Sequence, residues 1–180
     1  MMIRKATTAD AKRCLEIYNG VCDWETQNTI LTEWDKNFYP TMETVSSALT
    51  RDDLYVLEDE VDGAGESKIV ACGIINQLQP DFYTTYNWKF PAAPNEVLVL
   101  HTLAVDVNRK GRGYGRFFMN FYEELARQMG CKVLRIDTTL TNLPAQALYK
   151  KLEFKVAGQI ENDPNGIGHT IIFLGLEKKV

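Results

Sequence analysis

Apolar residues recur at helical spacing twice in the first third of the chain. In "TTADAKRCLEIYNGVCDW", Ala11, Cys14, Leu15, Ile17, Tyr18 and Val21 fall on one face, and Thr8 stands where an N-cap is expected; "PTMETVSSAL" repeats the start signal at Thr41. Between them "ETQNTILTEWDKNFYP" has no period and reads as a loop, with Trp24, Trp34, Phe38 and Tyr39 partly covering what lies beneath. "DLYVLE" and "KIVACGIINQL" then read as strands joined by the acidic, glycine-containing "DEVDGAGES", an antiparallel hairpin with a long solvated tip. The next stretch, "QPDFYTTYNWKFPAAPNE", is proline-rich and aromatic at once. That combination is unusual in a solvated loop and marks a candidate substrate wall.

From Val97 to Val105 the chain is almost unbrokenly apolar, the pattern of a central strand covered on both faces. A glycine-rich turn follows, and then Phe117, Phe121, Leu125 and Met129, with Phe118 and Tyr122 beside them, define an amphipathic helix that stops at Gly130. "KVLRIDTT" is a further strand. "TNLPAQALYKKLEF" offers Asn142 as an N-cap, Pro144 in the first turn, and Ala145, Leu148, Tyr149 and Leu152 in line. "FKVAGQI" and "HTIIFLGLE", joined by "ENDPNGIG", close the chain as a hairpin. This order suits a fold of the α/β class, a mixed sheet with helices on both faces. The 180 residues are expected to form one domain.

Composition narrows the function. With 45% hydrophobic and 24% charged residues the chain can bury one sizeable core, and no apolar run reaches the roughly 18 to 20 residues of a membrane helix. The start, "MMIRKATTADAKRC", lacks the apolar stretch of a signal peptide, so the expected setting is cytoplasmic, with no membrane partner. Cys14, Cys22, Cys72 and Cys131 are widely spaced, and only His101 and His169 could supply imidazole, so reduced, buried thiols are expected and no metal site. A net charge of -4 argues against nucleic acid as a partner, and any anion site must be local.

One local feature fits that description. "VDVNRKGRGYGRF" sets Gly111, Gly113 and Gly115 among Arg109, Lys110, Arg112 and Arg116, between a strand and a helix. Such a junction gathers free backbone N–H groups and the positive end of a helix dipole, and glycine lets a phosphate approach the backbone closely. A P-loop is ruled out, since no Lys-Ser or Lys-Thr pair follows the glycines. A dinucleotide-binding Rossmann unit stays open as an alternative, with Asp137 near the place of the ribose-binding acid. Against it, Arg116 occupies the third glycine position, and five polar residues separate Val105 from Gly111.

The third phosphate-binding reading is the pyrophosphate of an acyl-CoA. "KGRGYG" at 110–115 resembles the [QR]-x-x-G-x-[GA] signature of the GNAT superfamily of acyl-CoA-dependent N-acetyltransferases. "LHTLAVD" before it and "TNLPAQALYKKLEF" after it resemble that family's neighbouring motifs, in order and at the usual separations. Two positions depart from the pattern. Lys110 stands for the usual Gln or Arg, and Glu153 replaces the glycine that ends the motif's helix. The resemblance implies a GNAT-like acyl-CoA N-acyltransferase fold with a mostly antiparallel sheet, and acetyl-CoA as co-substrate. It also implies that the backbone of Lys110, Gly111, Arg112, Gly113, Tyr114, Gly115 and Arg116 cradles the pyrophosphate. Leu103, Ala104 and Val105 would pair with the pantetheine arm as though it were an added strand. Asn142 commonly helps fix the cofactor in the family; as a residue it is equally a plain N-cap.

Acetyl transfer to an amine needs a neutral amine, stabilisation of an oxyanion and a proton for the leaving thiolate, with no covalent enzyme intermediate required. Tyr149, in the "ALY" of the motif, is implied to meet the cofactor and protonate the thiolate; the alternative is an apolar-face tyrosine. His101 interrupts an apolar strand and is the candidate base, or a hydrogen-bonded core histidine. Glu96, at the start of the same strand, is the second choice for base, or a solvated strand-end residue. Trp24, Tyr86 and Trp88 are the candidate acceptor contacts, or simply a roof over the core. The expected activity is transfer of an acetyl group from acetyl-CoA to a primary amine, either a small amine or a peptide amino-terminus. A CoA-binding module without catalysis is the alternative of another class. The closing hairpin leaves an edge on which a homodimer could form.

Overall fold

The computed structural model describes residues 1–60, 67–163 and 169–180, so the tips of the two predicted hairpins, residues 61–66 and 164–168, lie outside the described residues. Seven strands form one sheet: β1 (Met2–Lys5), β2 (Leu54–Glu60), β3 (Ser67–Asn76), β4 (Val97–Val105), β5 (Val133–Thr139), β6 (Lys155–Asn162) and β7 (Ile171–Lys179), in the order β1-β2-β3-β4-β5-β7-β6. Among the described residues four α-helices accompany them: α1 (Ala11–Gln27), α2 (Met42–Thr50), α3 (Tyr114–Gln128) and α4 (Leu143–Lys151). β4 and β5 run parallel, whereas β1/β2, β2/β3, β5/β7 and β6/β7 are antiparallel. A Rossmann unit needs a mostly parallel sheet, whereas four of these five pairs are antiparallel, so that alternative falls.

The chain divides into two compact units. The first comprises Met1–Thr29, Trp34–Ile75 and Thr102–Phe121, and the second Ile30–Glu33, Asn76–His101 and Tyr122–Val180. In the first, the apolar face read from the sequence packs as expected: Cys14, Ile17 and Tyr18 of α1 meet Val45 and Ala48 of α2 and Leu54, Val56, Cys72 and Ile74 of the strands. The capping residue differs by one. Asp10 Oδ2 accepts from the Thr7 backbone at 2.7 Å and from its hydroxyl at 2.8 Å, so Thr7 rather than Thr8 closes the N-terminus, through a short 3-10 turn over Thr8–Asp10. Arg4 of β1 binds the same carboxylate at 2.7 and 3.1 Å. β1 itself was not expected: "MIRK" is a four-residue edge strand with two exposed ends, too short to show a period.

The second unit is built on β5, β7 and β6 and on the proline-rich segment. Tyr122 of α3 places its hydroxyl 2.7 Å from the Leu98 carbonyl and 2.9 Å from that of Arg135, tying the parallel strands together. Arg135 and Glu177 face each other across β5 and β7, both buried. Glu177 accepts from the backbone N–H groups of Lys89 and Phe90. Arg135 donates to Gln79 Oε1 at 2.5 Å and sets its guanidinium 4.3 Å from the Trp88 ring centre. Together they fasten the aromatic segment to the sheet. α4 ends with Glu153 in a left-handed conformation, φ 66°, while Phe154 N–H reaches back to the Tyr149 carbonyl at 3.0 Å. The missing glycine is thus replaced by a strained residue, at a cost of about 1 kcal/mol.

Candidate active site

The basic turn keeps the form its glycines suggest. Gly111 and Gly113 sit at φ +80° and +82°, where a side chain would strain the backbone, and a Cβ at either would meet nothing within 4 Å. The first helix-closing bond of α3 is Phe117 N–H to the Gly113 carbonyl at 2.9 Å, so the N–H groups of Gly113 to Arg116 have no partner inside the helix. Their dipole end and the exposed side chains of Lys110, Arg112 and Arg116 give the turn a charge and backbone geometry suited to an anion. Tyr114 enters through its backbone alone: its ring is buried and its hydroxyl donates to Asp59 at 2.7 Å. Asp106 anchors the turn from below, accepting from Asn108 N–H at 2.9 Å and from Arg13 at 2.5 Å. Lys110 stands 3.1 Å over the Trp24 ring centre, and burial lowers its proton affinity somewhat. Trp24, expected to contact the acceptor, therefore contacts the turn.

Just before the turn, Thr102 takes φ 52°, a rare conformation for a β-branched residue. Its hydroxyl bonds that of Tyr39. Ala104 is buried in the core of the first unit, and Leu103 and Val105 are half-buried.

The second unit carries the titratable cluster. The pairing of β4 with β5 runs from Val97↔Val133 to Leu100↔Ile136 and ends there, leaving His101 and Asp137 as the first residues past the last pair. Tyr83 donates its hydroxyl to Asp137 Oδ1 at 2.6 Å. Burial pushes the Asp137 carboxyl up to about 6, against the opposing pull of the Tyr83 hydrogen bond. Asp137 pairs in register with Gly175, which in turn pairs with Gly158. The bare backbone at Gly175 receives the Tyr86 ring: a Cβ there would lie 2.8 Å from three of its carbons. The Tyr86 hydroxyl is buried and has no hydrogen-bond partner among the described residues. Burial and then the Asp137 charge raise the proton affinities of both Tyr86 and Tyr149. Tyr149, 5% exposed, thus keeps its O–H far beyond neutral pH.

Tyr83 and Tyr86 are 2% and 6% exposed, and Trp88 is half-buried against Arg135, so the expected acceptor contacts Tyr86 and Trp88 are packed as a roof over the core. His101 Nε2 lies 3.1 Å from both Asn76 Oδ1 and the Leu78 carbonyl. A carbonyl only accepts, so in the neutral ring Nε2 carries the hydrogen and Nδ1 the lone pair. Glu96 lies in a 3-10 turn, Pro94–Glu96, rather than in the strand. Its carboxylate pairs with Lys132 and accepts from Ala93 N–H at 3.0 Å, and both bonds hold it below the ordinary carboxylate range, opposite to what a base requires. Asn142 Oδ1 accepts from Ala145 N–H at 3.2 Å, capping α4 as the sequence suggested. In the sequence Asp137 stands out only as the candidate ribose-binding acid of the Rossmann alternative. Its partner Tyr83 is 54 residues away, so no local signal marks the pair.

The fold is that of an acetyltransferase. The chain matches the acetyltransferase (GNAT) family over residues 18–154 and belongs to it. Solved structures agree on the fold. A ribosomal-protein-alanine N-acetyltransferase from Brucella melitensis is 23% identical with a TM-score of 0.69, covering 100% of each chain. A GNAT-family acetyltransferase from Listeria monocytogenes is 16% identical with a TM-score of 0.73, covering 99% of this chain and 94% of that one. The yncA protein of Salmonella typhimurium, solved with its cofactor acetyl-CoA, is 16% identical with a TM-score of 0.65, covering 99% and 92%. No curated protein sequence matches the chain. Among the described residues no helix is long and apolar enough to cross a membrane, and no cluster of three or more metal-ligating side chains occurs.

Proposed function

We propose that residues 1–180 act as one N-acetyltransferase domain that moves an acetyl group from acetyl-CoA to a primary amine by direct attack. The observation that carries this reading is the turn from Lys110 to Arg116, with two left-handed glycines and four helix-terminal N–H groups among exposed cations. It fits a pyrophosphate in charge and in backbone approach. Acetyl-CoA supplies the activated thioester; the backbone of Leu103 and Val105 offers its polar groups to the arm as a strand edge. Asn142, its oxygen committed to Ala145, keeps its amide hydrogens for a ligand.

Asp137 accepts the proton of the acceptor's ammonium, through its carboxylate oxygens. A carboxyl near 6 is ionised at neutral pH yet more basic than an ordinary aspartate. His101 is the second candidate acceptor, and Asp137→Asn against His101→Ala separates the two by which one removes the acid limb of the rate profile. The amine nitrogen then bonds the acetyl carbon as the carbon–sulfur bond breaks, the proton shed by the new amide nitrogen passes to the departing thiolate to give the free thiol, and the Tyr149 O–H donates a hydrogen bond to that sulfur. Because burial makes that phenol a weak acid, its contribution is a hydrogen bond that stabilises the thiolate more than a full proton transfer. Burial likewise raises the thiols of Cys22, to about 11, and Cys131, which suits a reaction without a cysteine intermediate. All four cysteines are free and buried, as a reducing, cytoplasmic setting would keep them.

Thiol release from acetyl-CoA, measured across amines, amino acids and peptides, tests the activity. Saturable acetyl-CoA binding with no release for any acceptor would leave only a CoA-binding module. Binding of NAD in preference to acetyl-CoA would refute the reading of the turn.

A further inference from the structure

The aromatic segment holds a group that the reaction above does not use. Tyr83 lies in a 3-10 turn, Asp81–Thr85, and is fixed from three sides. Its backbone N–H bonds the Pro80 carbonyl at 2.8 Å, and its own carbonyl accepts from Trp88 Nε1 at 2.7 Å. Its ring packs 5.3 Å from Phe82, 5.7 Å from Tyr86 and 5.3 Å from Trp88, centre to centre. Trp88 is in turn pinned by Arg135, and the following backbone by Glu177. A phenol so held cannot swing; its hydroxyl has one place to point, Asp137 Oδ1 at 2.6 Å.

We propose that Tyr83 is a positioning residue that keeps the Asp137 carboxylate in its proton-accepting form and turns Oδ2 towards the acceptor amine. This rests on the reading of Asp137 as the proton acceptor. A hydrogen bond donated to the charged form of an acid stabilises that form. The other titratable groups are Tyr86 and Tyr149, whose proton affinities the Asp137 charge raises, with Arg135 two residues earlier on β5 and His101 just past the end of the β4 pairing. Tyr86 and Tyr149 stay neutral, and Arg135 faces Glu177. Tyr83 is the side chain whose hydrogen bond lowers the Asp137 proton affinity against burial.

The test is Tyr83→Phe, which removes one oxygen from the buried ring. The Asp137 carboxyl is titrated by carbon-13 NMR, assigned with Asp137→Asn, and the pH profile of kcat/KM is recorded beside it. The expected result is an alkaline shift of the Asp137 titration by about one pH unit or more, with an equal shift of the acid limb of the rate and unchanged acetyl-CoA affinity. A purely structural tyrosine would lower the rate at every pH and leave both midpoints in place, and that outcome overturns the proposal. A shifted titration with an unshifted rate limb upholds the hold of Tyr83 on Asp137 and removes Asp137 from the reaction. As a second arm, 3-fluorotyrosine at position 83, a stronger donor in a ring of nearly the same shape, moves the titration the opposite way. No shift in that arm also overturns the proposal.

Discussion

Replacing Gly175 by alanine measures how tightly the aromatic segment is seated. The backbone there is one any residue adopts, so the whole effect is steric: the new Cβ would lie 2.8 Å from Cδ1, Cδ2 and Cε1 of Tyr86. To restore ordinary contact the ring must rise by about half an ångström or more. It cannot do so freely, because Phe82, Tyr83 and Trp88 stand 6.3, 5.7 and 5.0 Å from it, centre to centre. Overpacking of this kind costs about 1–3 kcal/mol. In a chain of 180 residues that corresponds to a fall in Tm of roughly 3–10 °C. Urea unfolding followed by circular dichroism gives the free energy, with an unchanged m-value expected. Tyr86→Ala in the same background removes the clash, so the double variant loses less than the two single losses combined, by about the same 1–3 kcal/mol. A Gly175→Ala protein as stable as the parent, or strictly additive losses, would refute the reasoning.

Other perturbations bear on the site and on pH. Gly113→Ala meets no neighbour but takes φ +82°, so stability should fall by only about 1 kcal/mol while calorimetry shows acetyl-CoA affinity reduced tenfold or more. Asp137→Asn should lower kcat by about 100-fold or more. It should also alter stability with a defined sign: the folded chain holds the Asp137 proton up to about pH 6, the unfolded chain only to about pH 4, so stability falls as pH rises through that window. The asparagine variant removes that fall and is about 1–3 kcal/mol more stable at pH 8, read by urea unfolding at pH 4 and 8. Asp10 behaves oppositely. The Arg4 hydrogen bonds hold it near 2, so its stabilisation is complete above about pH 4 and is lost as pH falls towards 2. Asp10→Asn should cost about 1–2 kcal/mol at pH 7, after allowance for partial exposure of Arg4, and little at pH 2.

What was legible in the sequence is what neighbours along the chain decide. The Val97–Val105 run, the turn at Gly111 and Gly113, and the Asn142 cap all appear where local pattern put them. β1 escaped because four residues carry no period, and the α1 cap moved by one because a 3-10 turn precedes the helix. The acceptor side was harder to read. Tyr86 looks like a loop aromatic until Gly158 and Gly175, paired across β6 and β7, supply the slot for its ring. Glu96 looks available until Lys132 neutralises it, and Asp137 looks like a ribose-binding acid until Tyr83 reaches it. Each of these depends on partners brought together by the fold, and hydrophobic periodicity holds no record of such pairs.

The ammonium of Lys110 over Trp24 gives the chain a built-in optical gauge. An indole's emission responds to a cation on its face, so an anion that draws Lys110 away changes the light from Trp24. The chain has three tryptophans; with Trp34 and Trp88 replaced by phenylalanine, the remaining one reports whether the turn is filled, in real time and without a label.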